Sequence, residues 1–367
     1  MIRLTLISVG CILRVISSRC FGVRCTPYML FLLVLPAIVV SLGPASRLES
    51  AVRNPQSAIA TPVILDTDIC DDIDDTWAIA AMLQSPELDC KLITTAVGNT
   101  EEKAKVVAKF LQRVGRTNIA VGIGIKQREG AHQQTPWAQD YDLASYPGKV
   151  HKDGVQAIID TIMNSPTRIT LIVTGPLPNI AEALKREPRI AGKAVFVGMH
   201  GSVYRGYDGK DKPDAEYNVK ADVEAAKKVF TAPWSMTITP LDTCGLVVLD
   251  GDKYQKVLKK DSPITKALIE NYRVWYKGGL KNRKDLDEAG LNRLVDEKLN
   301  SSSTTLFDTV AIYLAVSRQL VEMERLPIRI TDDGFTRVEN GAKAVDCAVK
   351  WKDLDGYESW LVERLTR

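Results

Sequence analysis

The stretch Pro62-Val-Ile-Leu-Asp66-Thr-Asp68-Ile-Cys70-Asp-Asp72-Ile-Asp74-Asp75-Thr-Trp77-Ala-Ile-Ala-Ala-Met-Leu-Gln84 reads as a buried strand (62–66), an acidic loop, and an apolar helix (75–84). Six of the ten residues from 66 to 75 are Asp, and no Lys or Arg occurs between Arg53 and Lys91. A solvated acidic turn does not fit between two apolar elements, because the chain there is partly buried. Carboxylates crowded into low dielectric either take up protons or bind a cation. Hard oxygen ligands in this number suit Ca²⁺ or Mg²⁺ and not zinc. The helix starting near Asp74 also turns its positive end to the same charges. The loop lacks the central Gly and terminal Glu of an EF-hand.

Outward from this stretch the same unit repeats. Lys91–Val97, Ile119–Ile123, Ile169–Val173 and Ala194–Val197 read as strands, and 101–114, 154–163 and 179–186 as helices between them. This alternation predicts an α/β fold: a single domain with a mostly parallel twisted sheet and helices on both faces. Such sheets carry ligands at the carboxyl ends of their strands. The polar stretch 277–305 reads as a solvated helical insertion and 305–320 as a buried helix. Two strands, Leu326–Ile330 and Ala344–Lys350, flank the turn signals Asp332-Asp-Gly334 and Asn340-Gly341 and predict a C-terminal antiparallel addition.

The chain has 367 residues, 45% hydrophobic and 25% charged, which excludes disorder, collagen and coiled coil as its main state. Its net charge of +3 comes from the first 45 residues, which hold four Arg and no acid. The remainder is balanced, so nothing points to a nucleic-acid partner. Arg19 and Arg24 precede the apolar run Tyr28–Val40 and the small residues Ser41, Gly43 and Ala45, the order of a secretory signal peptide. Residues 1–45 are therefore expected to be a signal peptide or N-terminal anchor, 46–61 a linker and 62–367 the domain, in a protein exported to the periplasm or extracellular space. A start at Met29 is the competing reading. Beyond the leader lie Cys70, Cys90, Cys244 and Cys347, with no CxxC pair. Export would permit a disulfide, and four buried thiols are the equal alternative.

Five segments in order down the chain resemble the calcium-dependent nucleoside hydrolases of the inosine-uridine-preferring type. They are the Asp66–Asp75 cluster, Thr94-Thr95-Ala-Val-Gly98-Asn99, Val173-Thr174-Gly175-Pro176-Leu177-Pro178-Asn179, Ala215-Glu216-Tyr217-Asn218 with Asp222-Val-Glu-Ala-Ala226, and Phe307-Asp308-Thr309-Val310-Ala311. The resemblance covers roughly 62–350. It implies a Rossmann-like nucleoside hydrolase fold, a nucleoside as small-molecule substrate, Ca²⁺ as cofactor, no stable protein partner, and a homodimer or homotetramer.

Cleaving an N-ribosidic bond passes through an oxocarbenium-like ribosyl group, so a site must hold the sugar hydroxyls, supply water and help the base leave. The resemblance implies Asp68, Asp75, Asp308 and the Thr174 main-chain carbonyl as metal ligands. It makes Asp74 the general base that activates a calcium-oriented water, with Asp72 as an alternative because the loop is two residues longer than the usual family spacing. Asp66, Asn99, Asn179, Glu216 and Asn218 are the expected substrate contacts, with Trp77 as a stacking surface beside Trp275 and Tyr276. By position alone, Asn99, Asn179 and Asp308 equally suit helix or turn caps, and Asp66 a ligand-orienting role. Phe307 stands where many family members have a His that protonates the departing base, and Cys70 where Gly is usual. His151 is the remaining imidazole candidate. Two rival functions fit parts of the pattern: a haloacid-dehalogenase-like Mg²⁺ phosphatase with Asp66 as nucleophile, and an exported non-catalytic nucleoside- or ribose-binding protein.

Overall fold

The computed structural model describes residues 60–130 and 132–367. The leader and positions 46–59 of the linker lie outside the described residues. Among the described residues, no helix is long and apolar enough to cross a membrane.

Strand β1 is Thr61–Thr67; the strands that follow are β2 (Leu88–Thr95), β3 (Ala120–Ile123), β4 (Val150–His151), β5 (Ile169–Val173), β6 (Ala194–Met199) and β7 (Met236–Thr239). The large sheet runs β11-β10-β12-β7-β6-β5-β1-β2-β3-β4, where β10 is Val321–Ile330, β11 Thr336–Val338 and β12 Ala344–Trp351. From β4 to β7, and on to β12, all pairings are parallel. The C-terminal addition has three strands in place of the expected two: β10 pairs antiparallel with both β12 and β11, and β12 joins β7 in parallel. A separate two-stranded ribbon joins β8 (Val248–Asp250) to β9 (Ser302–Thr305).

The strands are buried on both faces, which is why they read as unbroken apolar runs. In β1, Val63 and Leu65 pack into one layer with the helices α1 (Asp74–Leu83) and α2 (Thr100–Arg113), while Ile64 packs into the other with α3 (Gly154–Asn164) and α4 (Pro178–Arg186). Each such fully buried aliphatic side chain contributes about 1.5–3 kcal/mol. Cys70, Cys90, Cys244 and Cys347 are all buried free thiols, small apolar fillers and not a disulfide framework.

β1 is the first strand of the sheet, yet it lies in the middle. The chain builds β2, β3 and β4 on one side of it and β5, β6 and β7 on the other. This reversal of strand order opens a crevice at the carboxyl ends of β1 and β5, where the acidic loop emerges.

Candidate active site

The crevice holds a cavity of about 370 Å³ lined by Asp68, Asp71, Asp72, Asp74, Asp75, Thr174, Met199, Tyr207, Glu216, Tyr217, Asn218, Phe307 and Asp308. Asp74 and Asp75 form the first turn of α1, and Asp308 precedes the helix Thr309–Val316. These two helix starts meet, so that single oxygens of Asp74, Asp75 and Asp308 lie within 4.8 Å of one another, and the Asp308 N–H donates to Asp74 Oδ2 at 3.2 Å. Both helix ends direct partial positive charge at the group. Asp68 lines the same cavity, outside this tightest trio.

The carboxyls are held by the surrounding strand ends. Asp75 Oδ1 accepts from the hydroxyls of Thr67 and, at 2.9 Å, Thr174. Burial pushes its carboxyl up to about 6 against these bonds. Burial also raises Asp68, Asp74 and Asp308 well above the ordinary carboxylate range, helped by the charge of Asp75 on Asp68, of Asp72 on Asp74, and of Asp74 on Asp308. A buried all-oxygen set whose charges oppose one another is what a hard divalent cation stabilises, so the donor chemistry fits such an ion.

The Thr174 carbonyl accepts from Asn218 Nδ2 at 2.9 Å, which also donates to the Met199 carbonyl at 3.0 Å. Glu216 accepts the N–H groups of Gly201, Asn218 and Val219 at 2.9, 2.7 and 3.2 Å, and burial still lifts it to about 7. The motif Ala215–Asn218 therefore folds its own acid into a helix cap while keeping Glu216 and Asn218 on the cavity wall. Gly175 lets this wall approach the acidic loop: a Cβ there would lie 2.8 Å from the Asp68 backbone nitrogen and Cβ.

The longer loop is stapled from behind. Asp71 accepts from Lys103 Nζ at 2.9 Å and contacts His132 Nδ1 at 2.7 Å. Burial works to raise the Asp71 carboxyl, but the bonds from His132 and Lys103 prevail and hold it below the ordinary range. The fully buried Lys103 also donates to the carbonyls of Asp68 (2.7 Å) and Ala96 (3.2 Å). These two loops contain Cys70 and Val97, both in the left-handed region at φ 83° and 61°, a conformation that costs a non-glycine residue about 1–2 kcal/mol.

Several expected contacts fall elsewhere. Trp77 is fully buried, packs against Tyr254 and Tyr272, and does not line the cavity; its place on α1 faces the core. Asp66 is also fully buried. Its Oδ1 accepts from Thr94 and from Asn179 Nδ2 (2.8 Å), and burial pushes it up to about 7. Covered in this way, it is not presented as a phosphatase nucleophile. Asn179 is equally buried and accepts the Ile125 N–H at 2.8 Å, a tie between segments and not a cavity wall. Asn99 caps α2 through the Glu102 N–H, while its own N–H donates to His132 Nε2 at 3.2 Å; it too lies outside the lining. Trp275 donates to the Asp71 carbonyl at 3.3 Å and packs at a 38° tilt against Tyr276, and neither lines the cavity. His151 is in the edge strand β4.

The sequence reading missed Tyr207, Tyr217, Lys103, His132 and His200. Tyr217 was within reach, since it lies between Glu216 and Asn218. Tyr207 comes from a polar loop without periodicity, and His200, whose Nε2 is 3.1 Å from the Gly175 carbonyl, gives no local signal.

A doubly wound sheet whose switch-point cavity joins opposed carboxylates to an aromatic wall defines the class: a Rossmann-like enzyme with a site suited to a hard cation. The chain matches the model of the inosine-uridine preferring nucleoside hydrolase family over residues 63–357 and belongs to that family. It is an N-glycosyl hydrolase. It is 33% identical over 225 residues to a non-specific ribonucleoside hydrolase, RihC, of Klebsiella pneumoniae subsp. pneumoniae, covering 58% of this chain and 72% of that one. It is 38% identical over 197 residues to an inosine-uridine preferring nucleoside hydrolase of Leishmania major, covering 49% and 60%. Among solved structures, a plant nucleoside hydrolase, PpNRh1, superposes with a TM-score of 0.68 at 24% identity, covering 83% of this chain and 99% of the other. A purine-preferring ribonucleoside hydrolase from Gardnerella vaginalis gives 0.66 at 21% identity, covering 83% and 98%. At these identities the superpositions establish the fold.

Proposed function

We propose that the protein hydrolyses the N-glycosidic bond of ribonucleosides, with Ca²⁺ as the cation and Asp74 as general base. The observation that carries this is the meeting of Asp74, Asp75 and Asp308 across two helix starts, in one cavity with Glu216 and Asn218. Asp68, Asp75, Asp308 and the Thr174 carbonyl would hold the ion. When bound, it supplies a fixed positive charge that orients sugar hydroxyls and makes a neighbouring water more acidic.

Glu216 keeps acceptor capacity beyond its three backbone bonds, and the Asn218 side-chain oxygen has no protein partner among the described residues, so both hold ribose hydroxyls. Asp74, whose second oxygen is free of the Asp308 N–H, takes the proton of the water attacking the anomeric carbon. Tyr207, Tyr217 and Phe307 enclose the base. The leader supports export as part of the same proposal, which N-terminal sequencing of secreted protein tests.

The deciding experiment is reducing-sugar release from a purine and pyrimidine ribonucleoside panel, with Ca²⁺ and after chelation, for wild type and Asp74→Asn. The expected result is calcium-dependent release that falls by about 10²–10⁴-fold in the variant. Release untouched by the substitution overturns the assignment of the base, and ribose binding without any release favours a binding protein.

A further inference from the structure

His200 directly follows β6 and is fully buried. Its ring lies beside Phe196 and Phe230, with centroids 5.7 and 6.2 Å away, in surroundings that an apolar side chain would suit. Nε2 is 3.1 Å from the Gly175 carbonyl. A carbonyl only accepts, so Nε2 carries the proton and Nδ1 is left as an acceptor. Nδ1 is buried and has no partner among the described residues, an arrangement that weakens a fold. Burial holds the imidazole down to about 3, so near neutral pH it is uncharged and keeps this tautomer. The Gly175 carbonyl, in turn, receives no other donor among the described residues. The imidazole therefore has one polar contact, and that contact is with the wall of the cavity.

Gly175 joins two parts of the cation site proposed above. It shares a peptide unit with the Thr174 carbonyl, and it packs so closely on Asp68 that a Cβ would lie 2.8 Å from the Asp68 nitrogen, Cβ and Oδ1. A glycine has no side chain of its own to limit its rotation, so a turn about Gly175 would carry the Thr174 carbonyl away from Asp68. The residues on either side of His200 hold the rest of the wall by main-chain atoms: the Met199 carbonyl accepts from Asn218 Nδ2 at 3.0 Å, and the Gly201 N–H donates to Glu216 at 2.9 Å. Those two bonds do not involve the imidazole. Resting on the hydrolase reading and its cation, we propose that His200 is a positioning residue, whose Nε2–H bond to Gly175 keeps the Thr174 carbonyl and Asp68 in place as ligands of one ion.

The test is calorimetric titration of Ca²⁺ into chelator-stripped protein, without substrate, for wild type and three variants. His200→Leu and His200→Met remove the donor at nearly constant volume, and His200→Gln returns an amide N–H to about the same point. The Kd for Ca²⁺ is expected to rise by about 10–100-fold in the two apolar variants, the usual cost of losing a group that supports a metal ligand, and to stay near wild type in the Gln variant. Thermal unfolding in chelator should rank them differently, with the apolar variants at or above the Gln variant, because they place no unpaired polar atom beside the phenylalanines. A purely structural role would make affinity and Tm fall together. At saturating Ca²⁺ the KM for ribonucleosides should remain that of wild type, since the ties to Glu216 and Asn218 are main-chain ones. Apolar variants that bind Ca²⁺ as wild type does, or a Gln variant as weak as they are, overturn the proposal while the hydrolase reading stands. Wild type that cleaves ribonucleosides without binding Ca²⁺ overturns the choice of cation and this proposal with it.

Discussion

Lys103 joins two loops at a single buried ammonium: the Asp68 carbonyl from the acidic loop, the Ala96 carbonyl after β2, and the Asp71 carboxylate. Replacing it as Lys103→Met leaves the Ala96 carbonyl without a donor, leaves the Asp68 carbonyl only the long Asp71 N–H bond at 3.4 Å, and removes the 2.9 Å ammonium contact of Asp71. Because Asp71 is partly solvated and keeps Arg128 and His132, the cost should fall below that of a fully buried pair, at about 2–3 kcal/mol, read as a lower midpoint in urea. Gly175 is the second sensitive residue. Gly175→Ala drives a methyl into the Asp68 backbone, and overpacking of this kind costs about 1–3 kcal/mol. The displaced atoms belong to a cavity wall, so ribose release should drop by more than the lost folded fraction. Activity that merely tracks stability would show that the Asp68 loop is not required where it stands.

At the scale of elements, Asp66 is a joint. It lies at the end of β1, takes a hydroxyl from Thr94 on β2 and an amide from Asn179 in the first turn of α4, and Asn179 in turn binds the Thr95 carbonyl and the chain after β3. Four segments are thus set in register beneath the cavity. Asn179→Ala strands the Ile125 N–H and takes a donor from a carboxyl that is already costly to bury, and should lower stability by about 2 kcal/mol. Unchanged thermal unfolding of this variant would mean that the sheet holds its strand ends without the joint. The strained Cys70 and Val97 are in the loops that Lys103 ties down, and such conformations persist where the surroundings over-determine them.

Over the whole molecule, the carboxyls at the crevice link stability to pH. Asp75 is lifted to about 6, and Asp66 and Glu216 to about 7, by burial. A carboxyl raised in the folded state favours the fold while protonated. Its contribution is complete below the unfolded value near 4 and is lost as pH rises through 6 to 7. Chelated protein should therefore lose Tm between about pH 4 and 7. Saturating Ca²⁺ should abolish most of that loss, because a bound cation favours the ionised forms. Calorimetry across this range checks both arms, and Asp308→Asn should shrink the Ca²⁺-induced rise in Tm. A chelated protein whose Tm climbs over the same interval would contradict the burial of these groups.

Much of the fold was legible in residues 62–84, because a strand buried on both faces must be apolar and a loop of six Asp between apolar elements advertises itself. The repeated units led to the parallel sheet for the same reason, while β4, β7, the β8–β9 ribbon and β11, each two to four residues long, were too short for any periodic signal. Within the site, residue chemistry was legible but contact was not. Trp77 and Tyr217 are both aromatic, yet one is turned into the core and the other onto the cavity, and Asn99, Asn179 and Asp66 proved to be caps and ties. The sequence by itself determined the layered α/β fold, the carboxylate loop and the five segments of the family. Only the tertiary structure decided that Asp74, Asp75 and Asp308 share one point and that Asp71 is neutralised by Lys103. Such pairings join residues 32 positions apart for Asp71 and Lys103 and 234 apart for Asp74 and Asp308, and the strand order of the sheet brings them together at one crevice.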